Sequence, residues 1–257
     1  MYNPERIISL LKSPCLIKCY DCVSSTNTVA KDFAESGQKE NAIIISSAQT
    51  NGRGRLGRTF FSPDNTGVYM SFLLYPDISP EKALYITTAA ATAVCEAIEL
   101  VCELSPKIKW VNDILIDGKK VCGILTEGTL NSNGRLTYAV LGIGINLYAP
   151  KNDFPDDIKG IAGFLFDDTD DEKAYRLIAE IINRFFEYYN RLEEKPFLQP
   201  YIERSAVIGK SVNVLQNQTE RTSKVIGIDD EFHLVVENSD GKTEYLSSAE
   251  ISTRIIK

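Results

Sequence analysis

Hydrophobic residues recur along this chain with two different periods, and each switch of period marks an element. Asn3 followed by Pro4 suits a helix cap and first turn, so a helix is predicted over 3–12. CLIKCY then reads as a strand, and SSTNTVAKDFAESG as a helix with a Ser or Thr cap and Gly37 just past its end. NAIIISS is a buried strand, and VYMSFLLY is another. Ser79 and Pro80 open a long helix reaching about Cys102. PKIKW, DILIDGKKVCGILTEG and RLTYAVLGIGINL read as adjacent strands, with hairpin turns at Asp117-Gly118 and at 131–134. Residues 170–194 carry Leu177, Ile178, Ile181, Ile182, Phe185, Phe186 and Tyr189 at i, i+3, i+4, i+7 spacing, the stripe of a core helix.

A run of adjacent strands, not a repeated βαβ alternation, predicts an α+β fold: a mixed β-sheet with flanking helices. After Ser205 the pattern becomes short strands between polar turns, as in GKSVNVLQ, TSKVIGIDD and FHLVVEN. About fifty such residues predict a small C-terminal β domain of the SH3-like barrel type. The chain is therefore divided into 1–204 and 205–257. Residues 49–67, QTNGRGRLGRTFFSPDNTG, show no period at all. A loop of that length inside a compact domain is usually functional, and its glycines and polar groups predict mobility.

Composition narrows the function. The 257 residues are 44% hydrophobic and 25% charged, ordinary for a globular protein, with a net charge of −7. That balance argues against a broad electrostatic grip on DNA or RNA. No secretory signal is visible, and the most apolar stretch, Ala83 to Val101, is interrupted by Thr87, Thr88, Glu96 and Glu99. A cytoplasmic protein without membrane contact is expected. Cys15, Cys19 and Cys22 match no zinc spacing, so no metal ligands are assigned. His233 is the only histidine and has no nucleophile elbow to serve, which argues against a Ser-His-Asp triad.

Three segments carry candidate chemistry. Gly52-Arg53-Gly54-Arg55-Leu56-Gly57-Arg58 combines freely turning backbone with three guanidiniums, a combination suited to a phosphate or carboxylate. It lacks the Walker A spacing, and a solvated basic turn or an RNA-binding segment would also contain these residues. KWVND with GKKVCGIL places Lys120 among apolar strand residues. Strand alternation puts Lys120, Cys122 and Ile124 on the face opposite Lys119, Val121 and Gly123. There Lys120 is either a fixed charge in a pocket or a hairpin solubility charge. GIGINL sets two glycines inside a strand, a mark of close approach to the backbone by a ligand or a helix. Its spacing is not that of a dinucleotide-binding fold.

Ser25-Thr26-Asn27, Gln49 with GRGRLGR, KWVND with GKKVCGIL, and GIGINL follow in order the pattern of biotin protein ligases. The resemblance covers about residues 15–150, and the small C-terminal domain agrees with it. It implies an ATP-dependent ligase that makes biotinyl-5'-AMP and passes biotin to a lysine of a biotin carboxyl carrier protein domain. ATP, Mg²⁺ and biotin are the implied small molecules.

By that resemblance Ser25, Thr26, Asn27 and Gln49 line the biotin head, and Gly52, Arg53, Gly54, Arg55 and Arg58 belong to a loop that closes over biotin and the adenylate. Phe60, where the family usually has tryptophan, covers the adenine. Lys120 meets the biotin carboxyl and α-phosphate, making Lys120 and Arg55 the catalytic pair. Gly123, Gly142 and Gly144 form the glycine walls, while Asn112 and Asn146 reach the nucleotide. Val111 replaces the usual proline of the KWPND motif, and Leu56 stands at an often basic position.

A lipoate or octanoate ligase or transferase would share the fold, though not the GRGRLGR loop. Biotin-sensing repressors carry an N-terminal helix-turn-helix domain. About fourteen residues precede the first strand here, so no DNA partner is expected. A homodimer is compatible with the sequence.

Overall fold

A computed structural model describes residues 1–216, 219–247 and 252–255. The last two residues of the expected C-terminal unit, 256 and 257, lie outside the described residues. The chain opens with α1 (Pro4–Ile8), β1 (Leu16–Val23), α2 (Thr26–Glu35), β2 (Ala42–Gln49) and β3 (Gly67–Leu74). Then come α3 (Ala83–Cys102), β4 (Lys107–Lys109), β5 (Asp113–Ile116), β6 (Lys119–Leu130) and β7 (Leu136–Asn146). α4 (Asp156–Lys159), α5 (Asp171–Tyr189) and α6 (Leu198–Glu203) follow, and five strands end the chain: β8 (Ser211–Gln216), β9 (Thr219–Ile228), β10 (Leu234–Asn238), β11 (Thr243–Leu246) and β12 (Ser252–Ile255).

The fold is α+β with a mixed sheet. Seven strands lie in the order β1-β2-β3-β7-β6-β5-β4. Only β1 and β2 run parallel, joined across α2 as a single βαβ unit; every other pair in this sheet is antiparallel. The short C-terminal strands make a five-stranded antiparallel sheet ordered β11-β10-β9-β8-β12, consistent with the expected SH3-like unit.

Successive side chains of a strand face opposite ways, so the large sheet has two covered faces. On one, Met70, Phe72 and Leu141 pack beneath α3 and α5 in the main core. Phe72 meets Phe185 edge-on at 4.9 Å. Each fully buried side chain of this size contributes about 1.5–3 kcal/mol. On the other face Ile44, Leu73, Tyr138 and Val140 pack beneath α2 with Ala30. Beyond the N-terminus of α2 that second face changes character: Ser71, Gly142, Gly144 and Gly123 succeed the apolar residues, and the surface becomes a groove.

Several boundaries differ from the sequence expectation. The first helix stops at Ile8, although Asn3 does cap it by accepting from the Glu5 and Arg6 amides. Ser79-Pro80 opens a 3₁₀ turn, Pro80–Lys82, before α3 begins. The segment Pro80–Cys102 is in fact long and apolar enough to cross a membrane by length and composition, contrary to the sequence reading. It is the central core helix, with most of its residues buried. The hydroxyls of Thr88 and Thr92 donate to the carbonyls of Leu84 and Thr88, and Thr87 bonds Thr126 at 2.7 Å.

The long loop is built rather than irregular. Arg53 bridges Thr59, the Gly54 amide donates to the Arg58 carbonyl at 2.7 Å, and the Phe60 amide donates to Gly52. These bonds fold residues 52–60 into a miniature hairpin. Leu56 sits near its tip with φ of 56°.

Candidate active site

Two adjoining cavities open on the glycine side of the sheet. The first lies between the N-terminus of α2, the loop hairpin and the facing backbones of β6 and β7. Its volume is about 50 Å³. The second, about 250 Å³, lies between the hairpin, the Lys109–Asp113 segment and residues 154–162. Gly54, Arg55, Phe60, Asn112 and Lys120 belong to both walls and form the partition.

The expected head-binding residues meet in the first cavity. Gln49 reaches from the end of β2 and accepts from the Thr26 amide at 2.9 Å and its hydroxyl at 3.1 Å. It thereby caps α2 in place of Ser25, whose side chain makes no cap bond. Its other end donates to Ser62. The Ser71 hydroxyl lies 2.7 Å from that of Thr26 and 2.6 Å from Asn27 Oδ1. Asn27 Oδ1 rests on Gly142 so closely that a Cβ there would stand 2.3 Å away. Gly142 thus allows the asparagine to lie flat against β7.

Gly123 and Gly144 pair across β6 and β7, and the Phe60 ring lies over both. A Cβ on either would come within 2.9 Å of the ring. The loop hairpin therefore lays its aromatic residue into the groove made by two missing side chains. Gly52 lines neither cavity; its Cβ would collide with the Phe60 carbonyl at 2.3 Å, so its place is where the two hairpin arms cross.

The sequence reading put Lys120 and Gly123 on opposite faces. The structure brings them together, with a Cβ on Gly123 only 3.0 Å from Lys120 Nζ. The cause is a bulge: Ile114 faces Cys122 while Leu115 faces Lys120, so Val121 is an extra residue that shifts the alternation by one. On the far side of the bulge Lys120 pairs with residues 161–163 through two backbone bonds.

Positive charge concentrates at the partition. Lys120 Nζ meets Asp113 Oδ1 at 2.6 Å, with the lysine side chain 31% exposed. Arg55 donates to Asn112 Oδ1 at 3.0 Å, while Asn112 Nδ2 donates to the Ile124 carbonyl. Burial lowers the Arg55 pKa from its ordinary value; Asp113 opposes the shift and Arg58 adds to it. Arginine remains charged even so. A half-buried cation beside a second one is costly to desolvate, and an incoming anion offsets that cost.

Sequence reasoning missed Glu127. Its carboxylate, 19% exposed, takes Asn27 Nδ2 at 2.7 Å, Lys31 Nζ at 2.8 Å and Arg53 Nη2 at 3.1 Å. Burial opposes its charged form, but hydrogen bonds from Asn27 and Lys31 and the charges of Lys31 and Arg53 outweigh it. The carboxyl is held below the usual glutamate value. Residues 154–162 were missed too. Asn146, expected at the nucleotide, lines the second cavity and donates to the Gly163 carbonyl at 2.9 Å, tying that segment to β7. Arg58 also lines the second cavity. His233 lies apart, paired with Asp229 at 2.9 Å just before β10.

A cationic partition between two adjoining cavities is a site for bringing two anionic groups together. Comparison with known proteins gives it a family. Residues 19–146 match the model of the biotin/lipoate A/B protein ligase family, and residues 207–254 match the biotin protein ligase C terminal domain. Over 227 residues the chain is 37% identical to the bifunctional ligase/repressor BirA of Bacillus subtilis, covering 86% of this chain and 69% of that protein. It is 29% identical to the biotin–[acetyl-CoA-carboxylase] ligase of Paracoccus denitrificans, covering 88% and 96%. The biotin protein ligase from Aquifex aeolicus, solved with biotin and ATP, superposes with a TM-score of 0.77 at 26% identity, covering 94% of this chain and 99% of that one. The chain belongs to the biotin/lipoate A/B protein ligase family.

Proposed function

We propose that this chain is a biotin protein ligase that activates biotin with ATP and transfers it to a lysine of a biotin carboxyl carrier protein domain. The observation that carries this reading is the partition itself: Lys120, Arg55 and Asn112 stand where a head cavity and a nucleotide-sized cavity meet. In this reading the ureido head of biotin lies among Ser25, Thr26, Asn27 and Gln49, whose amide and hydroxyl groups suit a neutral polar ring. Adenosine takes the second cavity, with Phe60, Arg58 and Asn146 in its walls.

The biotin carboxylate then points at the α-phosphate across the partition. One carboxylate oxygen bonds to phosphorus, the bond to the bridging oxygen breaks, and pyrophosphate leaves. Lys120 and Arg55 offset the negative charge gathered there, and Mg²⁺ enters with the ATP phosphates as their counter-ion. In the second step the carrier amine attacks the acyl carbon. An amide forms, the amine loses a proton, and AMP departs. No protein nucleophile is needed, in keeping with a site whose histidine lies elsewhere.

A closed hairpin would keep water from the mixed anhydride. The Phe60 ring of the hairpin lies over Gly123 and Gly144 at the head cavity, so lifting of the hairpin would widen the way in for biotin. The division at about Arg204 assigns both cavities to residues 1–204 and leaves 205–257 as a supporting unit. A cytoplasmic setting, where ATP is available, fits the reading. Lipoate is the rival substrate within the family; the C-terminal match to a biotin protein ligase domain favours biotin.

The test is to incubate the purified protein with biotin, MgATP and an isolated carrier domain. Mass spectrometry should find one biotin on one carrier lysine. Modification with lipoate alone would move the chain to the sister activity.

A further inference from the structure

Glu127 touches three side chains from two parts of the fold. Asn27, in the wall of the head cavity, and Lys31, one turn further along the same face, belong to α2, and Arg53 belongs to the loop hairpin. β6 supplies the carboxylate because, past the bulge at Val121, residues 123, 125 and 127 all face α2. Glu127 pairs with Val140 and Leu125 with Gly142, and cross-strand partners share a face. The acid therefore stands at the outer end of the same row that begins with Gly123 in the cavity wall.

Two consequences follow from this placement. First, the carboxylate can only accept, so it fixes which way the Asn27 amide points: Nδ2 to Glu127, Oδ1 to Ser71. Second, Arg53 ties the Gly-Arg hairpin to the carboxylate that also holds α2, through Nη2 at 3.1 Å from Glu127 Oε1. Arg53 lies at the base of the hairpin, one residue before the Gly54 bond to Arg58. An ion pair there holds the hairpin down over the head cavity without touching the reacting atoms.

We propose that Glu127 is a positioning residue that latches the Gly-Arg hairpin through Arg53 and thereby sets how long biotin is retained. The inference rests on the proposed biotin-ligase function, with Arg53 acting on the head cavity.

The experiment is a double-mutant cycle on biotin dissociation, using Glu127→Gln, Arg53→Met and the pair. Glutamine still accepts from Asn27, so the head wall keeps its geometry and the anionic partner of Arg53 is what is lost. Each single variant should release biotin about tenfold faster, the scale of one partly exposed charge-assisted contact. Association should change far less. The double variant should be no faster than the faster single, because either substitution already opens the latch. Lys31→Met removes a partner of the same carboxylate that does not belong to the hairpin, and its release rate should stay within about twofold of wild type. Effects that multiply in the double variant, or a Lys31→Met rate equal to that of Glu127→Gln, overturn the latch.

A second measurement needs no biotin. Trypsin should cut the free protein after Arg55 and Arg58 faster in Glu127→Gln than in wild type, with unchanged thermal stability elsewhere. Equal cleavage overturns the latch even if wild type binds biotin tightly. Faster cleavage in a protein that binds no biotin leaves the latch standing and overturns the ligase reading instead.

Discussion

Lys120 Nζ stands 2.6 Å from Asp113 Oδ1 at the partition between the two cavities. The pair holds the ammonium on the cavity side of a bulged strand, where it can exchange a carboxylate partner for the carboxyl and phosphate of the reactants. Lys120→Ala should therefore slow adenylate formation more than it weakens biotin binding. One charge-assisted contact is worth about 1.5–3 kcal/mol, or about ten- to a hundredfold in rate. Single-turnover formation of biotinyl-adenylate, set beside calorimetric biotin affinity, separates the two. A fully active variant would return Lys120 to the status of a hairpin surface charge.

The C-terminal sheet reaches this partition through one buried turn. Phe232, with φ of 63°, is fully buried, stacks on Phe197 at 5.4 Å and meets Tyr201 edge-on. Its carbonyl accepts from Trp110 Nε1 at 3.0 Å, while the Tyr201 hydroxyl donates to the Val111 carbonyl. These two hydrogen bonds tie down the backbone that leads to Asn112 and Asp113. Trp110→Phe leaves a buried carbonyl without its donor, a loss of about 1–3 kcal/mol. The thermal midpoint should fall, and the KM for ATP should rise more than the KM for biotin. An equal rise in both would confine the contact to a structural role.

The glycines make a graded prediction. At Gly142 a methyl group would meet Asn27 Oδ1, which Glu127 and Ser71 already hold in place. At Gly144 it would meet the Phe60 ring, which belongs to the loop hairpin and not to the head wall. Gly142→Ala should cost biotin affinity heavily, and Gly144→Ala much less. Calorimetric titration with biotin alone reads the order; the reverse order would place the head elsewhere.

Much of this was legible in the sequence. The amphipathic stripe of α5, the Asp117-Gly118 hairpin and the three site motifs depend on local chemistry, which a sequence displays directly. Every expected site residue except Gly52 lines one of the two cavities. Three features were hidden. The bulge at Val121 has no glycine to announce it, and it reversed the expected facing of Lys120 and Gly123. Glu127 looked like any strand acid until β6 was aligned with α2. Residues 154–162 have no period, and their role depends on long-range bonds to Lys120 and from Asn146 to Gly163. The hairpin at 52–60 lies inside the loop that showed no period, because its backbone bonds join glycines and arginines that carry no strand pattern.

Arg55 is the loop cation nearest both cavities, half-buried and bonded to Asn112. Arg55→Gly should still make the adenylate, since Lys120 and the ATP-bound Mg²⁺ remain, but should let it escape. Released biotinyl-adenylate acylates bystander lysines, so the variant should label albumin that wild type leaves unmodified. Labelling no greater than wild type would mean that Arg55 does not retain the intermediate.

The central claim is that the two cavities join biotin to the α-phosphate of ATP. Exchange of labelled pyrophosphate into ATP reports that step alone, without any carrier protein. The account predicts exchange that requires biotin and Mg²⁺ and stays at background with lipoate. Exchange driven by lipoate and indifferent to biotin would contradict it.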